Sequence, residues 1–302
     1  MRPVESRFAD NAHSVLFDHL VRWSTAHCTC PTGPGEHIGQ SFAAATFSAF
    51  CAPPHASDEQ ALVAAKCCLL FFLVDDGPAE RLDDLVRFLD TGEGAVGNEA
   101  AACWTSLLAD LDKLGCDVDD LVPALRAWAD STRREQDVDV RTLTPEGYHA
   151  LRKDTIFVSC LVFCWLSLLG ARVPETASED LLDLAIRVVV LANDLGSLRA
   201  DGTPPDSPDA LVDINTVVLA HDGTGSVEEA VHQAVLDHNA LVLRFRAAER
   251  DLVEHAGPDD ERTSAFLSVV RHVVNGNLRG TRYLTAERYP GSAETLGRLD
   301  LV

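Results

Sequence analysis

The residues best suited to chemistry fall in two acidic clusters, Asp75-Asp76-Gly77-Pro78-Ala79-Glu80 and Asn193-Asp194-Leu195-Gly196-Ser197-Leu198-Arg199-Ala200-Asp201. Each follows a strongly apolar run, residues 69–74 before the first and 188–192 before the second. Carboxylates at the edge of an apolar core are costly unless a cation neutralises them. Both clusters offer hard oxygen donors, which suit Mg2+, and Mg2+ gathered between helices commonly bridges to substrate phosphates.

The spacing supports that chemistry. Asp75, Asp76 and Glu80 form a D-D-x-x-x-E array, with Asp76 and Glu80 four apart on one helical face. Pro78 places the array where a helix bends or ends, and anions at a helix C-terminus oppose its dipole unless a cation binds. Asn193, Ser197 and Asp201 recur at i, i+4 and i+8, a row along one drifting face. Read without a metal, the same residues are an acidic helix-to-turn junction and a polar last turn leading into a loop.

Elements of helical type must position these groups. Helical periodicity runs over 11–27, a segment from Ser57 to Asp75, 79–89, 99–114, 118–134, 145 to about 169, 179–200, 209–220, 227–255 and 260–287. Ser57-Asp58-Glu59-Gln60 is a capping sequence, Pro145 suits a first helical turn and Gly170 a helix end. Period-2 alternation and internal repeats are absent, and residues 202–208 are a Pro-rich loop. About ten helices in one all-α domain spanning 1–302 is the economical architecture.

Composition narrows the partners. The chain has 25 basic and 47 acidic residues, a net charge of −22, which disfavours nucleic acid and anionic lipid. Any anionic substrate then needs local metal or arginine. The longest apolar stretch, 156–171, is too short for a membrane span and reads as a buried helix. The N-terminal residues lack a signal-peptide core. Nine cysteines, an odd number without C-x-x-C spacing, point to a reduced, cytoplasmic protein, with Cys28-Thr29-Cys30 the one pair worth following.

On these residues the chain resembles the class I terpene synthases. That family carries an aspartate-rich D-D-x-x-x-D/E motif followed by N-D-x-x-S-x-x-x-E, both on helices lining one pocket. Asn215-Thr216-Val217-Val218 resembles the Asn-rich segment after the second motif, and Arg152-Lys153-Asp154-Thr155 an Arg-x-x-Thr diphosphate-sensing segment. The stretch from Asn277-Leu278-Arg279 to Glu287-Arg288-Tyr289 resembles the closing Arg-Tyr element. The resemblance covers about residues 57–290. It implies a class I terpenoid synthase helical bundle with a central cavity, three Mg2+ ions, a prenyl diphosphate substrate and a homodimer.

Carried over by position, Asp75 is the principal magnesium ligand, Asp76 and Glu80 are accessory, and Asn193, Ser197 and Asp201 hold the third ion. Asp201 stands where the family usually has Glu, one methylene shorter. Arg152 senses the diphosphate, which Arg288 and Tyr289 bind on closure; an arginine fork contacts phosphate oxygens bidentately. Arg282-Tyr283 competes for this last role, but Pro290 just after the later pair favours Arg288-Tyr289. Departure of the diphosphate would leave an allylic carbocation in a dry cavity. Phe47, Phe50, Phe71, Phe72, Phe157, Phe163 and Trp165 are candidates to line it, since ring faces stabilise cations.

Aromatic residues are 6% of the chain, low for folding a long polyene. That and residues 162–169, similar to a helix of bacterial ent-kaurene-type synthases, favour a C20 substrate, copalyl or geranylgeranyl diphosphate. The alternative is a sesquiterpene or monoterpene synthase using farnesyl or geranyl diphosphate. A chain-elongating isoprenyl diphosphate synthase would carry a second D-D-x-x-D repeat. An HD-type phosphohydrolase would need helical His partners for His221-Asp222. A non-catalytic helical scaffold would treat both acidic clusters as solvated helix ends.

Overall fold

A computed structural model describes residues 13–27, 34–75, 79–92, 99–138, 142–175, 177, 179–201, 215–220, 226–257, 260–286, 288–289 and 291–302. Among them the regular elements are all helical: α1 (His13–His27), α2 (Pro34–Cys51), α3 (Asp58–Asp75), α4 (Ala79–Thr91), α5 (Glu99–Lys113), α6 (Leu121–Glu135) and α7 (Pro145–Thr155). They continue with α8 (Val158–Leu168), α9 (Glu179–Asp201), α10 (Thr216–Ala220), α11 (Val227–Ala256), α12 (Glu261–Tyr283) and α13 (Ala293–Gly297).

Apolar pattern decides which helices lie inside. On α3 nearly every residue from Ala61 to Val74 is buried, Lys66 among them, and α8 is similarly enclosed. A helix apolar on all sides belongs in the core. Lys66 is tolerated because Asp110 accepts its Nζ at 2.5 Å and the Trp23 ring lies 5.4 Å away. Around this centre, α2 packs on α3 and α12, and α9 packs on α11 and α12.

Local chemistry starts the helices where the sequence indicates. Ser57 Oγ accepts from the Gln60 amide while Gln60 Oε1 accepts from the Ser57 amide, a reciprocal cap for α3. Thr144 caps α7 through the Gly147 amide with Pro145 in the first turn, and Ser226 and Glu229 form a capping box on α11. Such caps are each worth about 1 kcal/mol.

Two features depart from the sequence expectation. Helix α2 was not anticipated, because its Gly, Ala and Ser content gives a weak apolar stripe. Tertiary packing supports it: a Cβ added at Gly276 of α12 would come within 2.5 Å of the Phe50 backbone. The two helices touch backbone to backbone. Second, the expected helix from 145 to about 169 is broken. Ile156 ends α7, and Phe157 adopts φ +64° before α8 begins. No Gly or Pro marks the break, so composition could not reveal it.

The cysteines divide. Cys67, Cys68, Cys160 and Cys164 are buried and free, the small hydrophobes that their apolar surroundings suggested. Cys103, however, is disulfide-bonded. The expectation of a wholly reduced chain is therefore corrected: pairing across a fold is set by Cα geometry, which sequence spacing does not encode. Cys28 and Cys30 lie outside the described residues, as do His221 and Asp222. Among the described residues no helix is long and apolar enough to cross a membrane.

Candidate active site

The C-terminal ends of α3 and α9 and the segment after α12 converge on one cavity of about 510 Å3. Asp75, Asn193, Ser197, Arg288 and Tyr289 bring oxygen and guanidinium groups to its lining. Phe47, Phe71, Phe72 and Phe157 supply aromatic walls, joined by Cys68, Ile156, Val158, Leu161, Val273 and Asn277. Asp76 lies outside the described residues; Glu80 sits in the first turn of α4 and Asp201 ends α9, their side chains outside the description.

Arg152 reaches the same site from the last turn of α7. Its Nη1 stands 3.6 Å from Glu135 Oε1 and donates to Thr155 Oγ1 at 3.3 Å. Its Nη2 donates to Asn193 Oδ1 at 3.4 Å, and its Nε has no hydrogen-bond partner among the described residues. Burial opposes its charge, but Tyr148, Asp194, Glu135 and Asp75 outweigh burial and push its pKa above the ordinary value. Arg152 is thus a permanent cation with unused donor capacity, a fit receptor for a polyanion.

Behind Asn193 lies a network that holds α9 in register. Asp194, 1% exposed, accepts from the Tyr148 hydroxyl at 2.6 Å, the Thr216 hydroxyl at 2.6 Å and the Thr216 amide at 3.0 Å. Asn215 donates to the Asp194 carbonyl at 2.8 Å and to Ser197 Oγ at 3.5 Å, while its own Oδ1 accepts from the Val217 amide at 2.9 Å. Burial raises the Asp194 pKa against the pull of Arg152, Thr216 and Tyr148; burial and then the Asp194 charge push the Tyr148 phenol upward.

Arg288 and Tyr289 close the rim. The Arg288 guanidinium lies 4.7 Å above the Phe72 ring, and Asn193 Nδ2 donates to the Tyr289 hydroxyl at 3.5 Å. The Tyr289 ring approaches so closely that a Cβ at Gly196 would stand 3.3 Å from it. The competing pair is elsewhere: Arg282 bonds the carbonyls of Leu296 and Leu299, and Tyr283 is 53% exposed.

The apolar part is an aromatic stack. Phe71 and Phe157 are stacked with centroids 4.9 Å apart, Phe72 lies 5.0 Å from Phe71, and Trp128 meets Phe157 edge-on at 5.0 Å. The left-handed Phe157 is what presents its ring here; for a bulky residue that conformation costs roughly 1–2 kcal/mol and persists only where packing enforces it. Three of the expected lining residues are not in the wall. Phe50 packs on Tyr283, Trp165 is fully buried, and Phe163 only packs against the core. None of residues 162–169 lines the cavity, because that part of α8 turns into the core.

Glu135 and Tyr148 are parts of the site that the sequence motifs do not name, and Asp194, although inside the second cluster, has no role assigned to it there. Two signals were available: Asp194 follows Asn193 directly, and Tyr148 stands one turn before Arg152 on the same face. Glu135 had none, being distant in sequence and placed by packing of α6 on α7.

No protein-family model matches the chain, and no curated relative does. Solved structures match over nearly its whole length. SVS_A2, from ancestral sequence reconstruction, is 20% identical, with 95% of this chain and 95% of that chain covered and a TM-score of 0.72. The 2-methylisoborneol synthase of Streptomyces coelicolor A3(2), in complex with Mg2+ and 2-fluoroneryl diphosphate, is 20% identical, with 93% of each chain covered and a TM-score of 0.75. The fold is that of the class I terpene synthases. Hedycaryol synthase in complex with HEPES agrees, at 19% identity, 92% and 94% coverage and a TM-score of 0.70.

Proposed function

We propose that this chain is a Mg2+-dependent terpene cyclase that ionises a prenyl diphosphate of ten or fifteen carbons and cyclises the resulting cation. One observation carries the reading: a single cavity joins Asp75, Asn193, Ser197, Arg288 and Tyr289 to an aromatic wall. A diphosphate needs the first set and a carbocation needs the second.

The donor set fits magnesium. Carboxylate, amide and hydroxyl oxygens are hard ligands, and Asp75, Asn193 and Ser197 are the described residues that would hold the metal, with Asp76, Glu80 and Asp201 proposed beside them. Bound there, Mg2+ would supply charge neutralisation that makes the diphosphate a better leaving group.

The chain's own residues do the rest. Arg152 and Arg288 bind the diphosphate from two sides, and the Tyr289 hydroxyl orients it. Glu135 and Asp194 keep Arg152 charged and aimed before substrate arrives, which is electrostatic preorganisation. Phe71, Phe72 and Phe157 exclude water and offer ring faces to the migrating positive charge. The neighbours named for 2-methylisoborneol and hedycaryol, and a cavity in the lower half of the usual range for small-ligand sites of about 300–1,000 Å3, favour the shorter substrates over C20.

The test is incubation with geranyl, farnesyl, geranylgeranyl and copalyl diphosphates plus Mg2+, with extracts resolved by gas chromatography and mass spectrometry. A cyclic product from geranyl or farnesyl diphosphate is expected. Product from only the C20 substrates overturns the chain-length part, and no product with no diphosphate release overturns the whole reading.

A further inference from the structure

The second Arg-Tyr pair, Arg282-Tyr283, has no part in the diphosphate reading, yet Arg282 is heavily engaged. Its Nε and Nη2 donate to the Leu296 carbonyl at 3.1 and 2.9 Å, and Nη2 also reaches the Leu299 carbonyl at 2.7 Å. Leu296 lies in α13 and Leu299 two residues beyond it, and the Leu296 carbonyl also accepts from the Leu299 amide at 3.3 Å. The fork therefore ties the last turn of α12 to the segment 291–302.

The rest of that segment is pinned the same way, backbone to side chain. Asn239 Nδ2 donates to the Arg298 carbonyl at 3.2 Å while its Oδ1 accepts from the Asp300 amide at 2.9 Å. Asn275 pairs reciprocally with Val302 at 3.0 and 2.8 Å, and Arg246 donates to the Leu301 carbonyl at 2.7 Å. Leu296 and Leu299 are buried in a small apolar cluster with Ala234, Val235 and Leu278.

Between the two tied ends lies the Arg288-Tyr289 arm. Tyr289 is held from its N-terminal side by its amide on the Leu284 carbonyl, at 3.2 Å, and from its C-terminal side by Ser292, whose hydroxyl donates to the Tyr289 carbonyl at 2.7 Å. Closing a loop at its base lowers the entropy that its apex loses on binding. We infer that Arg282 is a positioning residue, a staple that fixes the C-terminal strap under the Arg288-Tyr289 arm so that the arm meets the diphosphate already ordered. The inference rests on the reading of that arm as diphosphate-binding.

The experiment compares wild type with Arg282→Lys, Arg282→Ala and Asn239→Ala in the full chain. Inorganic diphosphate is titrated with Mg2+ by calorimetry, KM and kcat are measured on the accepted substrate, and hydrogen–deuterium exchange is followed over 284–299. Lysine keeps the charge but cannot fork across two carbonyls. Arg282→Ala should weaken diphosphate binding about tenfold, and Arg282→Lys and Asn239→Ala each about threefold, with KM rising more than kcat falls. Exchange should quicken in 284–299 and stay unchanged in α3. Folded variants with faster exchange but wild-type diphosphate affinity overturn the inference while the functional reading stands. A wild-type protein that binds no diphosphate overturns both. Should Arg282→Ala fail to fold, the milder pair decides, because either one binding as wild type is contrary to the staple.

Discussion

The rim and the wall of the cavity are built on opposite principles. At the rim the contacts among functional groups are long: 3.6 Å from Arg152 to Glu135, 3.4 Å to Asn193 and 3.5 Å from Asn193 to Tyr289. One layer back they shorten to 2.6 Å around Asp194. The wall depends on no polar contact of this kind: its rings pack with centroids 4.9–6.0 Å apart and the thiols beside them are buried. Long, charge-assisted contacts leave donors that a ligand can take over, whereas close-packed rings are preset. The rim is arranged to be completed by ligand; the wall is finished on folding.

This contrast predicts different failures. The largest effect belongs to the rim: Asp75→Asn should lower diphosphate release about 10³-fold in a steady-state assay, with circular dichroism and melting unchanged. Unchanged turnover would remove Asp75 from the site. Arg152→Ala should cost both activity and stability, about 3 kcal/mol by urea unfolding, because Glu135 and Asp194 lose their cation while still enclosed. A loss of activity alone would mean that the rim carries no structural charge balance.

A smaller effect probes the wall. Replacing Phe157 by Gly or Ala removes the same stacking, but Gly tolerates φ +64°, so Phe157→Gly should be about 1 kcal/mol the more stable of the two in urea. Equal stabilities would show that the left-handed turn stores no strain. The smallest effect is a pH dependence confined to the rim. Burial raises the Glu135 pKa above its ordinary 4.5, so the folded state takes up that proton before the unfolded state does as pH falls. The destabilisation from its buried charge therefore lessens on acidification. The stability difference between wild type and Glu135→Gln should shift toward wild type from pH 7 to pH 5, whereas Phe157 variants show no such shift.

The same contrast explains what the sequence made legible. Asn193 and Ser197 could be placed because helical spacing at i and i+4 carries donors to one face whatever the surroundings, whereas Asp75, Arg288 and Tyr289 were placed by the resemblance of their motifs to those of the class I terpene synthases. The all-α architecture was equally readable, since periodicity and caps are local. Helix α2 escaped because Gly and Ala give no stripe, and its stability comes from backbone contact with Gly276 across the fold. The break at Phe157 escaped because packing, not a glycine, enforces it. The preference for a C20 substrate rested on the low aromatic content and on residues 162–169, and a helix pattern does not say which side of α8 meets the cavity. Glu135 and Asp194 became functional only once burial and distance were known.

The central claim is that rim and wall form one site that ionises a prenyl diphosphate. Its most direct test is diphosphate release from farnesyl and geranyl diphosphate, followed continuously in matched reactions with Mg2+ and with chelator, for wild type and Asp75→Asn. The account predicts release that needs Mg2+, is abolished by chelator and falls about 10³-fold in the variant. Release that is indifferent to both Mg2+ and Asp75, or no release from either substrate, would contradict it.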